Sequence, residues 1–199
     1  MRMNDLKSAL IKSAYKAFST TDFKKVSTND IVQDAKVSKG LLFHYFKNKE
    51  SLYLSLYEMA WQVVYTEVTT DFPRDSQDLF LRLKEMIIRK TSSLQRHPTL
   101  ANFMKRVHAC QVPFIQQERQ RIYYNVNVDI YKSVYEDYDV SKFPHPEHHD
   151  EISKVVTWTL NRIASDWEKN HANSTPEDAL KILQAELTHY IDFFKHYFY

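Results

Sequence analysis

A single glycine is the feature that most limits what this chain can fold into. Of its 199 residues only Gly40 is a glycine, whereas an average chain of this length has roughly fourteen. Hairpin turns and phosphate-binding loops use glycine because it adopts positive φ without steric cost. The composition therefore favours helices joined by short polar turns, and it excludes the glycine-rich nucleotide-binding motifs.

The rest of the composition is that of a globular protein in a reducing compartment. Hydrophobic residues make up 43% of the chain and charged residues 26%, which is ordinary for a globular domain. Cys110 is the one cysteine, so an intramolecular disulfide is excluded. The N-terminus lacks the apolar stretch of a signal peptide, and no run approaches the roughly 18 apolar residues of a membrane span. We expect a cytoplasmic protein with no membrane partner.

Charge is unevenly distributed along the chain. Residues 1–50 hold ten basic and five acidic residues, a net charge of +5, so the remainder carries 2 − 5 = −3. A basic N-terminal quarter on a mildly acidic body indicates an anionic partner at one end. A solvated surface is the alternative interpretation of a bias of this size.

Apolar residues recur at spacings of three and four, which predicts an all-α fold of about nine helices. Near the N-terminus, helices are predicted over residues 4–19, 28–35 and 39–45, with Ser27 and Ser38 as N-caps of the second and third. Two short helices joined by a tight turn are typical of a helix-turn-helix. Asn48 is the predicted cap of a long fourth helix. Later helices are predicted over residues 49–70, 76–95, 98–108, 113–138, 147–170 and 175–196.

The segment from Val37 to Leu52, VSKGLLFHYFKNKESL, resembles the DNA-binding signature of the tetracycline-repressor (TetR) family. The similarity extends back through Ala17-Phe18 and Ser27–Ile31, and it covers roughly the first 55 residues. It implies a helix-turn-helix DNA-binding domain at residues 1–48 and a helical ligand-binding and dimerisation domain at residues 49–199. It also implies double-stranded DNA and a small-molecule effector as partners, with no cofactor.

The third helix is the predicted reading element. It is too short to be stable alone, so Leu42 and Phe46 are expected to pack it onto the first two helices. Its other side is polar, basic and aromatic, and is expected to enter the major groove. Gly40 allows close approach to DNA, or alternatively relieves packing against the first helix. The predicted DNA-binding residues, several of them by the resemblance, are Ser27, Thr28, Ser38, Lys39, Gly40, Leu41, His44, Tyr45 and Lys49.

The sequence departs from the family pattern at three places. Lys36 stands where the turn usually has glycine, so the turn is expected either to be strained or to differ. Thr21-Asp22-Phe23 replaces the usual approach to the second helix, where Phe23 supplies the aromatic ring. Leu41 replaces a small residue and is available to contact a thymine methyl group.

The C-terminal helices are expected to form the dimer interface and a ligand pocket. Two apolar stripes are candidates for pairing with a second copy: Ile152, Val156, Thr159, Ile163 and Trp167 form one, and Leu180, Leu183, Leu187, Tyr190, Ile191, Phe194 and Phe198 form the other. Ordinary core packing is the alternative for both stripes. Candidate ligand-binding residues, each of which is also a candidate core residue, are Trp61, Met86, Phe103, Val107, Tyr123, Tyr124 and Trp158.

The histidine-rich loop at residues 145–151 is interpreted as a solvated polar loop rather than a metal site. The predicted function is that of a ligand-responsive transcriptional regulator, a homodimeric repressor that a small molecule releases from a near-palindromic operator. The alternatives are an enzyme, for which no catalytic motif is present, and a helical module that binds a lipid or a protein. The latter leaves the basic face of the third helix unexplained.

Overall fold

The computed structural model describes residues 3–170 and 176–199, and of residues 165–170, 176 and 177 it describes the backbone only. Within these ranges the regular structure is helical and contains no strand, which confirms the predicted all-α fold. No described helix is both long enough and apolar enough to cross a membrane. The helices are α1 (Met3–Thr20), α2 (Thr28–Asp34), α3 (Lys39–Tyr45), α4 (Lys49–Thr69), α5 (Leu79–Arg96), α6 (Pro98–Ala109), α7 (Pro113–Tyr135), α8 (His149–Asn170) and α9 (Pro176–Phe198).

The N-terminal helices begin where the predicted capping residues place them. The Ser27 hydroxyl accepts a hydrogen bond from the Asn29 amide at 3.1 Å, and the Ser38 hydroxyl accepts one from Leu41 at 3.2 Å. The Asn48 carboxamide oxygen accepts from the amide of Ser51 at 2.7 Å. Each cap satisfies a backbone donor that has no partner inside its helix, so all three predicted caps are confirmed.

Several later helix ends differ from the prediction, and three of them have a visible local cause. Helix α5 begins at Leu79 rather than residue 76, because the Asp78 carboxylate accepts from the Leu81 amide at 3.0 Å and acts as the cap. Helix α7 ends at Tyr135, and Asp137 has a φ of 56° that a continuing helix excludes. Helix α8 begins at His149, after a single 3-10 turn over Pro146–His148. Apolar spacing locates a helix well but its ends poorly.

The chain divides into two compact packing units. The first runs to Val63 and includes His97–Val126, and the second comprises Val64–Arg96 and Asn127–Tyr199. Packing thus does not follow the predicted domain boundary at residues 48 and 49, because α6 packs on α1 and therefore joins the helix-turn-helix in the first unit. That boundary, as a division between DNA-binding and effector-binding functions, stays a prediction.

Aromatic rings form the centre of the first unit. Phe103 of α6 makes edge-to-face contacts with Tyr15 of α1 and Tyr53 of α4, at centroid separations of 5.3 and 5.1 Å. Phe18 lies 4.8 Å from Tyr53. Burial raises the pKa of the Tyr15 and Tyr53 phenols above the usual value, because desolvation disfavours the charged form. The rings tie α1 to α4 and α6 through contacts distant in sequence.

In the second unit, α5 packs along α9. Lys84 pairs with Asp192 at 2.8 Å, and the Thr91 hydroxyl donates to the Gln184 carboxamide at 2.7 Å. At the other end of α5, the Leu79 amide donates to the phenol oxygen of Tyr199 at 3.0 Å. Polar contacts at three levels therefore fix α5 and α9 in register.

Four of the twelve residues in the predicted pairing stripes of α8 and α9 lie in the core of this chain, and pairing through the others stays a prediction. Val156, Leu187, Ile191 and Phe194 are buried within this chain, so the alternative of core packing holds for them. The side chain of Trp167 lies outside the described residues. The exposed apolar residues on these helices are instead Val155, Trp158, Ile182, Tyr190, Phe193 and Tyr197, of which only Tyr190 was predicted. A helix with apolar residues on two sides does not reveal from its spacing which side faces the core.

Candidate nucleic-acid interface

Packing holds α3 against the first two helices, as predicted. Leu42 and Phe46 are buried, and so is Ile31 of α2. The buried hydroxyl of Ser13 in α1 donates to the Ile31 carbonyl at 2.9 Å. These contacts fix the orientation of α3, a seven-residue helix that has too few backbone hydrogen bonds to be stable alone.

The opposite side of α3 is accessible. Ser38, Lys39, Gly40 and His44 are exposed, and Leu41 is half-buried. A short helix that presents a lysine, a histidine and a hydroxyl offers donors for the edges of guanine and for phosphate oxygens. The predicted orientation of α3 is confirmed, and the contact of these residues with DNA stays a prediction.

The surroundings of Gly40 decide between its two interpretations. A Cβ atom built on Gly40 meets only the Ser38 hydroxyl, at an ordinary contact distance of 3.9 Å. Among the described residues, no atom of α1 approaches it within 4 Å, so relief of packing against the first helix is wrong. The glycine occupies the second position of α3 rather than its middle, where its helix propensity cost is smaller. Close approach to a partner is the interpretation that remains.

Two further residues of this face were missed by the sequence analysis. Phe43 exposes 40% of its surface, and the Lys39 ammonium lies 5.9 Å from its ring centroid. The Lys7 ammonium of α1 lies 5.1 Å from the ring centroid of half-buried Tyr45. The spacing of four residues between Lys39 and Phe43 was a visible signal. No signal in the sequence indicated Lys7, because its contact with Tyr45 depends on how α1 packs on α3.

Lys49 is a predicted phosphate contact whose ammonium is engaged within the chain. It donates to the Lys24 carbonyl at 3.4 Å and lies 4.6 Å from the ring centroid of Phe23. Burial lowers its pKa below the usual value, because desolvation disfavours the charged form. Ser27 and Thr28 are half-buried at the start of α2. The three residues stay predicted phosphate contacts.

The departures from the family pattern have clear structural outcomes. Lys36 adopts a φ of 55°, the strained alternative of the two that were expected. For a residue with a Cβ this conformation costs about 1–2 kcal/mol. Phe23 is buried against Tyr53 at a centroid separation of 4.9 Å. It therefore supplies the aromatic ring predicted for the approach to α2.

The candidate effector-binding residues are divided between the two packing units. Trp61 and Tyr123 come together in the first unit with a centroid separation of 5.1 Å, whereas Met86 is buried in the second. Phe103 and Val107 are core residues of the first unit. Tyr124 and Trp158 each expose 69% of their surface. All seven residues stay predicted effector contacts, although Tyr124 and Trp158 lie at the surface of this chain.

The histidine-rich loop is polar and mostly exposed, as predicted. His145 lies 3.4 Å from the Glu147 carboxylate, and the Tyr138 phenol is hydrogen-bonded to His149 Nδ1 at 2.7 Å. Across residues 3–170 and 176–199, no group of three histidine, cysteine or acidic side chains is arranged to hold a metal ion.

The segment that carries this candidate interface matches a known protein family. Residues 10–56 match the model of the family described as bacterial regulatory proteins, tetR family. An uncharacterized HTH-type transcriptional regulator, YuxN of Bacillus subtilis (strain 168), is 29% identical over 66 residues. That match covers 33% of this chain but only 23% of YuxN, so the chain aligns with less than a quarter of that relative.

Solved structures match over nearly the whole chain. A transcriptional regulator from Cytophaga hutchinsonii ATCC 33406 aligns with a TM-score of 0.69 and 19% identity, covering 95% of this chain and 96% of that one. FadR from Bacillus subtilis in complex with stearoyl-CoA aligns with a TM-score of 0.61 and 17% identity, covering 92% and 97%. At such identities the alignments show a shared fold, in which a helix-turn-helix precedes a larger helical domain.

Proposed function

We propose that this chain, a transcriptional regulator of the TetR family, binds a near-palindromic operator as a homodimer and represses transcription until a small molecule releases it. The observation that carries the proposal is the accessible face of α3, held in place by packing and placed within the segment that matches the family. Such a helix fits the major groove, with its N-terminal residues at the base edges.

The exposed apolar residues of α8 and α9 support the homodimer. Trp158 and Val155 are exposed on α8, and Phe193 and Tyr197 are exposed on α9 with their ring centroids 4.7 Å apart. Aromatic residues are enriched in protein interfaces, where they bury a large apolar surface. A second copy presenting the same residues would cover this surface through a two-fold axis. Two helix-turn-helix units would then meet half-sites about one helical turn apart, or somewhat more.

The proposed dimer predicts that a charged residue in place of Trp158 prevents dimer formation. Replacing Trp158 with arginine removes an apolar anchor and places two like charges in a two-fold interface, which costs several kcal/mol. We expect the variant to be a monomer at concentrations where the native chain is a dimer, as measured by sedimentation equilibrium. Tyr124→Arg is the matched control, since Tyr124 is equally exposed at 69% but lies on α7. A dimeric Trp158→Arg protein, or a monomeric control, would contradict this interface.

Release by a small molecule would couple two sites. A ligand that weakens operator binding must itself bind less tightly when the operator is present, by the same factor. The stearoyl-CoA complex of the Bacillus subtilis FadR is an instance of this fold with a small molecule bound. Ligand affinity that is equal with and without operator would contradict the proposed release.

Selection of duplexes from a random DNA pool tests the proposed function. We expect the native chain to enrich a near-palindromic sequence, with an affinity that falls steeply as salt concentration rises. Lys39→Ala should lower the affinity by about 1–3 kcal/mol per half-site if Lys39 reads a guanine. Lys132→Ala, which removes the same charge from an exposed residue of α7, should bind like the native chain. No enriched sequence, either alone or with candidate effectors, would count against the proposal.

The same experiment separates the alternative functions. An enzyme or a helical lipid- or protein-binding module has no reason to enrich one duplex sequence. The relatives found by comparison are transcriptional regulators, and the accessible face of α3 would have no role in either alternative. A regulator without catalytic activity therefore fits the observations better.

A further inference from the structure

Lys7 of α1 contacts the last residue of α3. Its ammonium lies 5.1 Å from the ring centroid of Tyr45, and the Tyr45 ring also makes an edge-to-face contact with His44 at 5.3 Å. Lys7 and Tyr45 are both half-buried. Lys7 precedes residues 10–56, which match the family, so the family match assigns it no role. Through this contact the accessible face of α3 continues onto α1.

The contact with Tyr45 leaves the positive charge of Lys7 unneutralised. An aromatic ring attracts a cation through its quadrupole, but it carries no net charge. Lys16 on the same helix differs, since its ammonium pairs with the Asp34 carboxylate at 2.9 Å. A lysine ammonium has three N–H donors, and one ring does not occupy all of them. The Lys7 ammonium is therefore able to bind an anion beside Tyr45.

The position of Tyr45 along α3 indicates which anion this is. Residues at the start of a reading helix meet the base edges. Tyr45 follows Lys39 by six residues, so it lies about 9 Å further along the helix axis at 1.5 Å per residue. The major groove is about 12 Å wide, so a helix that enters it by its N-terminus brings its other end to the sugar-phosphate backbone. An ammonium and a phenol are both donors for phosphate oxygens.

We infer that Lys7 and Tyr45 together bind one phosphate of the DNA backbone in each half-site. The ammonium balances the single negative charge of the phosphate, and the phenol hydroxyl donates to one of its oxygens. The contact between the ammonium and the ring holds both groups in place before DNA binds, which lowers the entropic cost of binding. The inference rests on the proposed function, because it names a contact that holds the operator.

The salt dependence of duplex binding by the full chain tests the inference. Lys7→Met should lower the affinity for the selected duplex about 10-fold for each half-site, the usual effect of removing a hydrogen bond to a charged group. It should also reduce the slope of log affinity against log salt concentration by about 0.9 for each half-site. The sequence motif recovered by selection should stay the same, because phosphate contacts carry no sequence information. Lys39→Ala should instead change the motif if Lys39 reads a guanine.

Lys12→Met is the matched control. Lys12 is an exposed lysine of the same helix, and the five residues between them turn its side chain about 140° around α1 from that of Lys7. Its replacement removes the same charge and should leave the slope of the native chain. Lys7→Arg retains the charge and should keep most of the affinity. A contact that only stabilises the fold would lower the melting temperature of Lys7→Met without changing its slope, and if Lys7→Met fails to fold, Lys7→Gln carries the test.

A double-mutant cycle tests whether the two side chains share one phosphate. Tyr45→Phe keeps the ring that contacts Lys7 and removes only the hydroxyl. With a shared phosphate, the double variant should lose less affinity than the product of the two single losses, because groups that bind one partner are coupled. Losses that multiply would mean that the two groups bind separate partners.

Three results would overturn the inference: a Lys7→Met protein with the salt slope of the native chain, equal losses in Lys7→Met and Lys12→Met, or losses that multiply in the cycle. Any of them beside an enriched motif would defeat the shared phosphate contact and leave the proposed function standing. A native chain that enriches no sequence would instead defeat the proposed function. A slope that Lys7→Met still reduces on an arbitrary duplex would in that case leave the phosphate contact standing.

Discussion

Replacing Arg82 with leucine is expected to lower the free energy of unfolding by about 3–5 kcal/mol, because several carbonyl oxygens lose their donor at about 1–3 kcal/mol for each one that stays buried. Arg82 exposes 1% of its surface, and its guanidinium donates to backbone carbonyls on two segments. Its Nε donates to Ser76 at 2.5 Å, and its terminal nitrogens donate to Arg74, Val134 and Glu136. Leucine leaves these carbonyls without their donor.

The position of the accepting carbonyls explains why this arginine matters. Val134 and Glu136 lie at the C-terminal end of α7, where carbonyls lack helical partners and the helix dipole is negative. Arg74 and Ser76 lie in the connection from α4 to α5. One side chain therefore caps α7 and anchors this connection, with a planar group that offers five donors.

The free energy of unfolding is measured by urea unfolding monitored by circular dichroism. Variants are compared with the native chain only where their m-values are equal. Arg96→Met is the matched control: it also removes an arginine from α5, but one that pairs at the surface with Glu67 at 2.5 Å, worth at most about 1 kcal/mol. Arg82→Lys should recover only part of the loss, because lysine lacks the planar fork. Similar midpoints for Arg82→Leu and Arg96→Met would show that the carboxyl end of α7 is held in some other way.

Enlarging Gly40 is expected to separate folding from DNA binding. Gly40→Gln should leave the free energy of unfolding unchanged or raise it by up to about 1 kcal/mol, because any residue other than proline favours a helix more than glycine does. The space around Gly40 accepts a Cβ at normal contact distance. Affinity for the selected duplex should fall by about 1–3 kcal/mol per half-site, comparable to a wrong base pair, because the side chain keeps α3 from the groove.

Gly40→Ala provides an intermediate case. Its affinity for the duplex should lie between that of the native chain and that of Gly40→Gln. Both variants are measured by fluorescence anisotropy on the same duplex and by urea unfolding. Undiminished affinity in Gly40→Gln would mean that α3 does not approach DNA at this residue. Reduced stability in both variants would mean instead that the glycine serves the fold.

Much of this protein is predicted by signals that act within one helical turn. The caps Ser27, Ser38 and Asn48 each bind an amide two or three residues ahead, so the starts of α2, α3 and α4 follow from the sequence alone. Lys36 has a φ of 55°, which is one of the two alternatives that followed from the resemblance, because the family usually has glycine at this turn. The motif from Val37 to Leu52 then indicated a DNA-binding domain, in agreement with the family match over residues 10–56.

Tertiary packing decided which side of each helix is used. The apolar residues of α8 repeat on two sides, and only packing shows that Val156 is in the core while Trp158 is exposed. The contact between Lys90 and Asn127 joins residues 37 positions apart, and no local pattern predicts it. Capping, turn strain and helix periodicity are properties of neighbouring residues, and the sequence determines them directly. Burial and side-chain partners depend on which helices pack together, and this is determined only by the tertiary structure.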